Sequence, residues 1–300
     1  MFGELLRKVC KDCTESTIRT YTFNVRALAK LAGHKAVPMH SRWIDVQLLK
    51  KIRQMPVNKF KKHVIAGAKA LKAYGKTSKT WAEGVREAER RYQKERSKQK
   101  RTVKEQENWP EGGYGAIHKL AETLHEEVRH ILKKAPASIT NVELYKVMQW
   151  FVILFYSRHS LRGDLAECSI KKRGQNYIYE KDKSWHVHIG QHKTVKHVGA
   201  IDFELDPDVQ EGLKQYLPYL RAKTSHGFLL STKVTAVKLH RRDMMKMIKN
   251  LTEERLGKRI GVQLIRVLRT TGSEEAINKA AKLRRELGHG PQTQLQYISK

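Results

Sequence analysis

The chain is short of acid: thirty Asp and Glu stand against sixty Lys and Arg over 300 residues, a formal net charge of +30. No convincing carboxylate triad is present, so a nuclease or transposase that holds divalent cations is set aside. A glycine-rich phosphate loop ending in G-K-S or G-K-T is also missing, which argues against nucleotide-driven chemistry. The longest apolar run, Trp150 to Tyr156, is far too short to span a bilayer, so no membrane partner is expected. The start, Met1-Phe2-Gly3-Glu4-Leu5, has no basic region followed by an apolar stretch, and no secretory signal is read there. Cysteine is scarce. Cys10, Cys13 and Cys168 suit a reducing, intracellular compartment, and the Cys10/Cys13 pair lacks the second pair that a four-ligand zinc site requires, so both read as ordinary thiols.

What the chain does have is positive charge spread along its length, and such a charge calls for a polyanionic partner. With no membrane span or anchor in view, nucleic acid is the favoured partner. A 40% hydrophobic composition is enough for a real core, and the length favours two domains over one.

Helical periodicity appears at Ser16 to Leu31, with capping residues ahead of it, and further apolar sets follow at Trp43 to Ile52 and Phe60 to Tyr74. Residues 1–95 read as a small helical domain. Between Arg86 and Lys104 nine Arg or Lys and three Glu leave almost no large apolar residue, and Trp109-Pro110-Glu111-Gly112-Gly113 breaks regular structure. This predicts a charged helix end and a linker over 96–112, either a solvated face or a basic strap against phosphates. Residues 113–300 read as a second, larger domain. Helices are expected over Ile117 to Leu132, Thr140 to Tyr156, Pro207 to Leu220, Ala236 to Leu251, Gly261 to Thr271 and Ser273 to Leu287. Asn176 to Tyr179, Trp185 to Ile189 and His197 to Phe203 are rich in β-branched and aromatic residues and predict three short antiparallel strands. The expected fold class is mainly α with a small antiparallel β-sheet.

Strand cleavage without a metal needs a nucleophile, cations on the phosphate oxygens and an acid for the leaving 5′ oxygen. Near the C-terminus, Leu287-Gly288-His289 precedes Tyr297 by eight residues. Upstream, Arg162-Gly163-Asp164-Leu165 closes an apolar helix, and Arg266-Val267-Leu268-Arg269 lies twenty residues before His289. His188-Ile189-Gly190-Gln191-His192-Lys193-Thr194 occupies a turn between two expected strands, with Lys196 as a second lysine nearby. Taken together, these segments resemble the boxes of the tyrosine recombinase (phage integrase) family, with a Cre/Xer-like catalytic domain. The likeness covers about 140 residues.

That resemblance implies a helical core-binding domain clamping the duplex opposite a catalytic domain. It implies Tyr297 as nucleophile, Lys193 as acid, and Arg162, Arg269 and His289 on the phosphate. Arg266 stands where the family usually has histidine, so it can hold a phosphate but cannot serve as a base. The implied activity is site-specific recombination of double-stranded DNA through a 3′-phosphotyrosine, with no metal, ATP or small-molecule cofactor, by a homo-tetramer on paired sites. Two alternatives stay open: a type IB topoisomerase-like relaxase, and a decayed recombinase that only binds DNA, for which Arg266 and the short stretch Ile298-Ser299-Lys300 argue. The expected location is intracellular, with DNA.

Overall fold

The computed structural model describes residues 2–98, 100–170 and 174–274, together with 279 and 281. It is mainly helical with one small antiparallel sheet, and it divides into two compact units between Arg101 and Thr102.

The first unit is all helix: α1 (Phe2–Val9), α2 (Glu15–Leu31), α3 (Val46–Arg53), α4 (Val57–Ala73) and α5 (Lys79–Ser97). Side-chain caps set the starts of three of them: Thr14 accepts from Thr17 N–H, Asp45 from Leu48 N–H and Ser78 from Trp81 N–H. Helix α4 packs against the other four, burying Phe60, Val64 and Leu71 with Leu6, Val25, Leu28, Leu49, Ile52 and Trp81. Gly67 is required where α4 meets the Trp81 indole, because a Cβ there would sit 2.1 Å from a ring carbon. Helix α1 escapes the periodicity reading; it is only two turns long and follows the chain start directly.

The stretch expected as a linker is largely structured. Helix α5 runs through the basic segment to Ser97, and α6 (Val103–Glu107) opens on a capping box in which Thr102 and Glu105 satisfy each other's backbone N–H. Trp109 packs on the core of the second unit, and Asn108 accepts from Arg259 N–H at 2.8 Å. Cys10 and Cys13 are joined by a disulfide, against the expectation of two free thiols. A turn in which Cys13 N–H donates to Cys10 C=O holds their Cα atoms 5.3 Å apart, within disulfide reach.

The second unit is built around α8 (Asn141–Arg158), which is buried nearly all round: Leu144, Val147, Met148, Trp150, Phe151, Val152, Ile153, Phe155 and Tyr156 all lie inside. A helix apolar on every face belongs in the middle of a core. Here α7 (Gly115–Val128) and α10 (Pro207–Lys223) cover it, with α11 (Arg241–Leu256) and α12 (Val262–Gly272) completing the helical part. A capping box of Thr140 and Glu143 starts α8, and the Lys134 ammonium with the Thr140 N–H holds the Glu143 carboxyl down at about 2.

Strands β1 (Asn176–Lys181) and β2 (Ser184–Ile189) pair antiparallel across a two-residue turn, Asp182-Lys183, both with positive φ, as a type I′ hairpin demands. The third strand is shorter than expected. His197 and Val198 belong to a helical turn, α9 (Val195–Val198), which Gly199 ends at φ 72°, and only β3 (Ile201–Glu204) joins the sheet. The helix expected from Ala236 begins at Arg241 instead. Ala236 has φ 50°, and Lys238 bridges to Ser231 in an extended pair.

Candidate nucleic-acid interface

Where α8 ends, the chain runs extended: His159 has φ −126° and ψ 148°, and Arg162 has φ −69° and ψ −168° before a 3-10 turn at Gly163–Glu167. The Tyr156 hydroxyl, fully buried, donates to the Arg162 carbonyl at 2.8 Å and fixes the exit of this segment. Helix α12 lies alongside and presents Arg266 and Arg269, one turn apart, to the segment's carbonyls. Arg266 Nε donates to Ser160 C=O at 3.0 Å, and Arg269 donates to Arg158 C=O. Burial and the neighbouring Arg162 pull the Arg266 pKa below its ordinary value, with Asp164 opposing. Arg162 and Arg266 are therefore close enough to repel each other.

The hairpin loop is brought to the same place. Arg162 reaches the Thr194 hydroxyl at 3.5 Å, a long contact, and Thr194 lies next to Lys193. The buried His192 braces the loop: its Nε2 donates to Gly199 C=O at 2.9 Å, which leaves Nδ1 to accept from Thr194. At the loop's start Asn176 both accepts from Gln191 N–H at 2.8 Å and donates to its carbonyl at 3.1 Å. Lys193 and Lys196 are exposed on this loop.

Carboxylates are present but already engaged. Buried Asp164 takes Arg241 at 2.8 Å, while Asp208 takes Arg158 at 2.5 Å, with Asp206 3.7 Å away. Gly163 lets Arg241 in, since a Cβ there would lie 2.9 Å from its Nε. Arg162, Arg266 and Arg269 have no carboxylate partner among the described residues. These three half-buried guanidiniums thus form a cationic site with no counter-ion among the described residues, the kind of site that an anion would satisfy.

On the Arg269 side, the Tyr114 hydroxyl lies in that guanidinium's field and donates to the Ser157 carbonyl at 2.8 Å, with the Tyr156 carbonyl at 3.1 Å. Burial pushes the Tyr114 hydroxyl up, against the pull of Arg269 and Arg158. His118 stacks edge-on against Tyr114 at 4.9 Å and contacts Arg158. His159 accepts from Asp206 N–H at 3.0 Å, and burial, with Arg269 beside it, lowers its pKa to about 4. Both imidazoles are held towards neutrality.

Of the six residues singled out in the sequence, the structure gathers Arg162, Arg266 and Arg269 and ties the loop of Lys193 to them through Thr194. His289 and Tyr297 lie outside the described residues. Sequence reasoning missed Tyr114, Arg158, His192 and Arg241. Nothing local marks the first two and the last, whose partners lie tens of residues away, whereas His192 sits inside the quoted hairpin motif. Among the described residues no group of His, Cys, Asp or Glu is placed to hold a metal ion. No family model matches the chain, and no curated protein matches it either. Among solved structures, the crystal structure of XerA recombinase aligns with TM-score 0.36 and 13% identity, over 100% of this chain and 94% of that one.

Proposed function

We propose that this chain is a DNA strand-exchange enzyme of the tyrosine recombinase type. The observation that carries the reading is the group of three partly buried arginines without carboxylate partners among the described residues, beside a loop that presents an exposed lysine. A phosphodiester supplies the missing anion. Arg162 and Arg269 neutralise its nonbridging oxygens, Arg266 adds a third cation, and His289 a further donor. The Tyr297 phenolate, its proton lost to water under the pull of the surrounding cations, attacks phosphorus and forms a tyrosyl phosphate as the P–O5′ bond breaks, and the Lys193 ammonium gives its proton to the departing 5′ oxygen. Religation by a 5′ hydroxyl reverses these steps, so neither ATP nor a metal enters the balance. The first unit would bind the duplex as well, with the protein acting as a tetramer on paired DNA sites.

A DNA-binding protein without cleavage activity is the second reading. It is favoured by Arg266 and Arg269 each donating into the backbone, which leaves fewer N–H groups for a phosphate. A nicked suicide substrate carrying the target site, incubated in EDTA, separates the two. A denaturation-resistant adduct that is absent in Tyr297→Phe supports the enzyme; tight salt-sensitive binding with no adduct establishes the silent protein. Supercoiled and two-site substrates then distinguish relaxation from exchange.

A further inference from the structure

Between α1 and α2 the first unit carries a cleft of about 450 Å³ that the strand-exchange chemistry does not use. Its floor is apolar, formed by Phe2 and Ile18. Its rim is cationic, with Arg7, Arg19 and Arg26. Arg7 is committed to Glu15 in a two-pronged pair at 2.9 and 3.0 Å, while Arg26 has no ion pair among the described residues. Phe23 stands between Arg19 and Arg26 on the same face of α2 and is 64% exposed, with the Lys62 ammonium 5.3 Å from its ring centroid. A single exposed apolar side chain is ordinary, so the ring counts here only in combination with the cleft beneath it and the arginines on either side.

We propose that this cleft takes one unpaired nucleotide of a nucleic-acid strand, its base stacked on Phe23 over the apolar floor and its phosphate between Arg19 and Arg26. The volume falls in the range of small-ligand sites. An exposed ring flanked by guanidiniums is the platform by which single strands are held without sequence readout, since every base offers a π-face. A phosphoserine or phosphothreonine peptide would satisfy the arginines but would leave the ring without a function, and a phosphotyrosine peptide is separated by the test below. A fully paired duplex keeps its bases inside the stack and gives the cleft only its phosphates. The inference is independent of cleavage by Tyr297, because adduct formation is not its readout.

The test is fluorescence anisotropy of the full chain with a short single-stranded oligonucleotide containing 2-aminopurine, and with the matching duplex, at one salt concentration. Phe23→Ala is expected to weaken single-strand binding about tenfold and to relieve 2-aminopurine quenching, while duplex binding stays within about twofold. Phe23→Tyr should bind as the parent does. Gly3→Phe, which fills the cleft without removing a charge, should reproduce the loss; a Cβ at Gly3 meets nothing closer than 3.7 Å, so the start of the side chain fits. Unchanged single-strand affinity in both Phe23→Ala and Gly3→Phe overturns the proposal. So does equal loss on single strand and duplex, or Phe23-dependent binding of a phosphotyrosine peptide with none of the oligonucleotide.

Discussion

The two units handle positive charge in different ways. In the first, cations stand on the outer faces of helices whose inner faces make the core, as on α2, where Arg19 and Arg26 are exposed while Val25 and Leu28 are fully buried. In the second, α8 is buried all round, and arginines crowd its C-terminal exit: Arg158 and Arg241 are held by carboxylates, Arg266 and Arg269 by carbonyls, and Arg162 reaches only the Thr194 hydroxyl. The first arrangement lets a surface charge change without cost to the fold. The second makes the same side chains part of the architecture and part of the candidate phosphate site at once.

Substitutions can break or sharpen this contrast. The largest effect is expected for Arg269→Ala, which should slow formation of the covalent DNA adduct about 100- to 1,000-fold in protein that circular dichroism shows to be folded. Adduct formation at the parent rate would reduce Arg269 to an architectural role. Next comes Arg241→Ala, which strands the Asp164 carboxylate, whose side chain is only 5% exposed. Because the arginine is partly solvated, the loss belongs at the low end of the range for a broken buried pair, about 3 kcal/mol by urea denaturation. Gly67→Ala drives a methyl into the Trp81 indole and should cost about 2 kcal/mol. Gly212→Ala clashes with the end of the Leu154 side chain, which can turn aside, and meets the Trp150 ring at ordinary contact distance, so with the gain in helix propensity it should lie within about 1 kcal/mol of the parent.

Acid offers a gentler probe of the same boundary. His159 has its pKa lowered to about 4 by burial, so the unfolded chain binds the proton that the folded one refuses. Stability from this group is fully present above the ordinary histidine pKa near 6.5 and is lost as the pH falls from there towards 4. His159→Gln, which can still accept from Asp206 N–H, should shrink the fall in urea midpoint across that window; an unchanged profile would assign the acid sensitivity to other groups. Smallest of all, Phe23→Ala should move thermal stability by under about 0.5 kcal/mol, since its ring is mostly in water. A larger drop would mean that the ring belongs to the core of the first unit.

Much of the framework was legible because its signals are local. Apolar spacing marks α2, α4 and α8, capping residues mark the start of α2, and β-branched and aromatic runs mark β1 and β2. Misreadings came where local preference and fold disagree. His197 and Val198 read as the start of a strand, yet the chain makes a helical turn there on its way from β2 to β3. Ala236 suggests helix, but its left-handed backbone and the Ser231 to Lys238 bridge delay α11. The arginines were found by their order along the chain. Their supports were not, because Tyr114 meets the end of α8 and Arg241 meets Asp164 only after folding.

The extended stretch from Arg158 to Arg162 and helix α12 work as two rulers with different graduations. Three residues of helix advance about 4.5 Å. Two residues of extended chain advance about 6.6 Å, and the flexible guanidinium arms absorb the mismatch. The carbonyls of residues 158 and 160 therefore fall within reach of residues 269 and 266 only in one alignment. Inserting or deleting a single residue between Arg158 and Arg162 would therefore break that alignment and turn Arg162 away from the loop of Lys193. Spacing, as much as residue type, holds this site together.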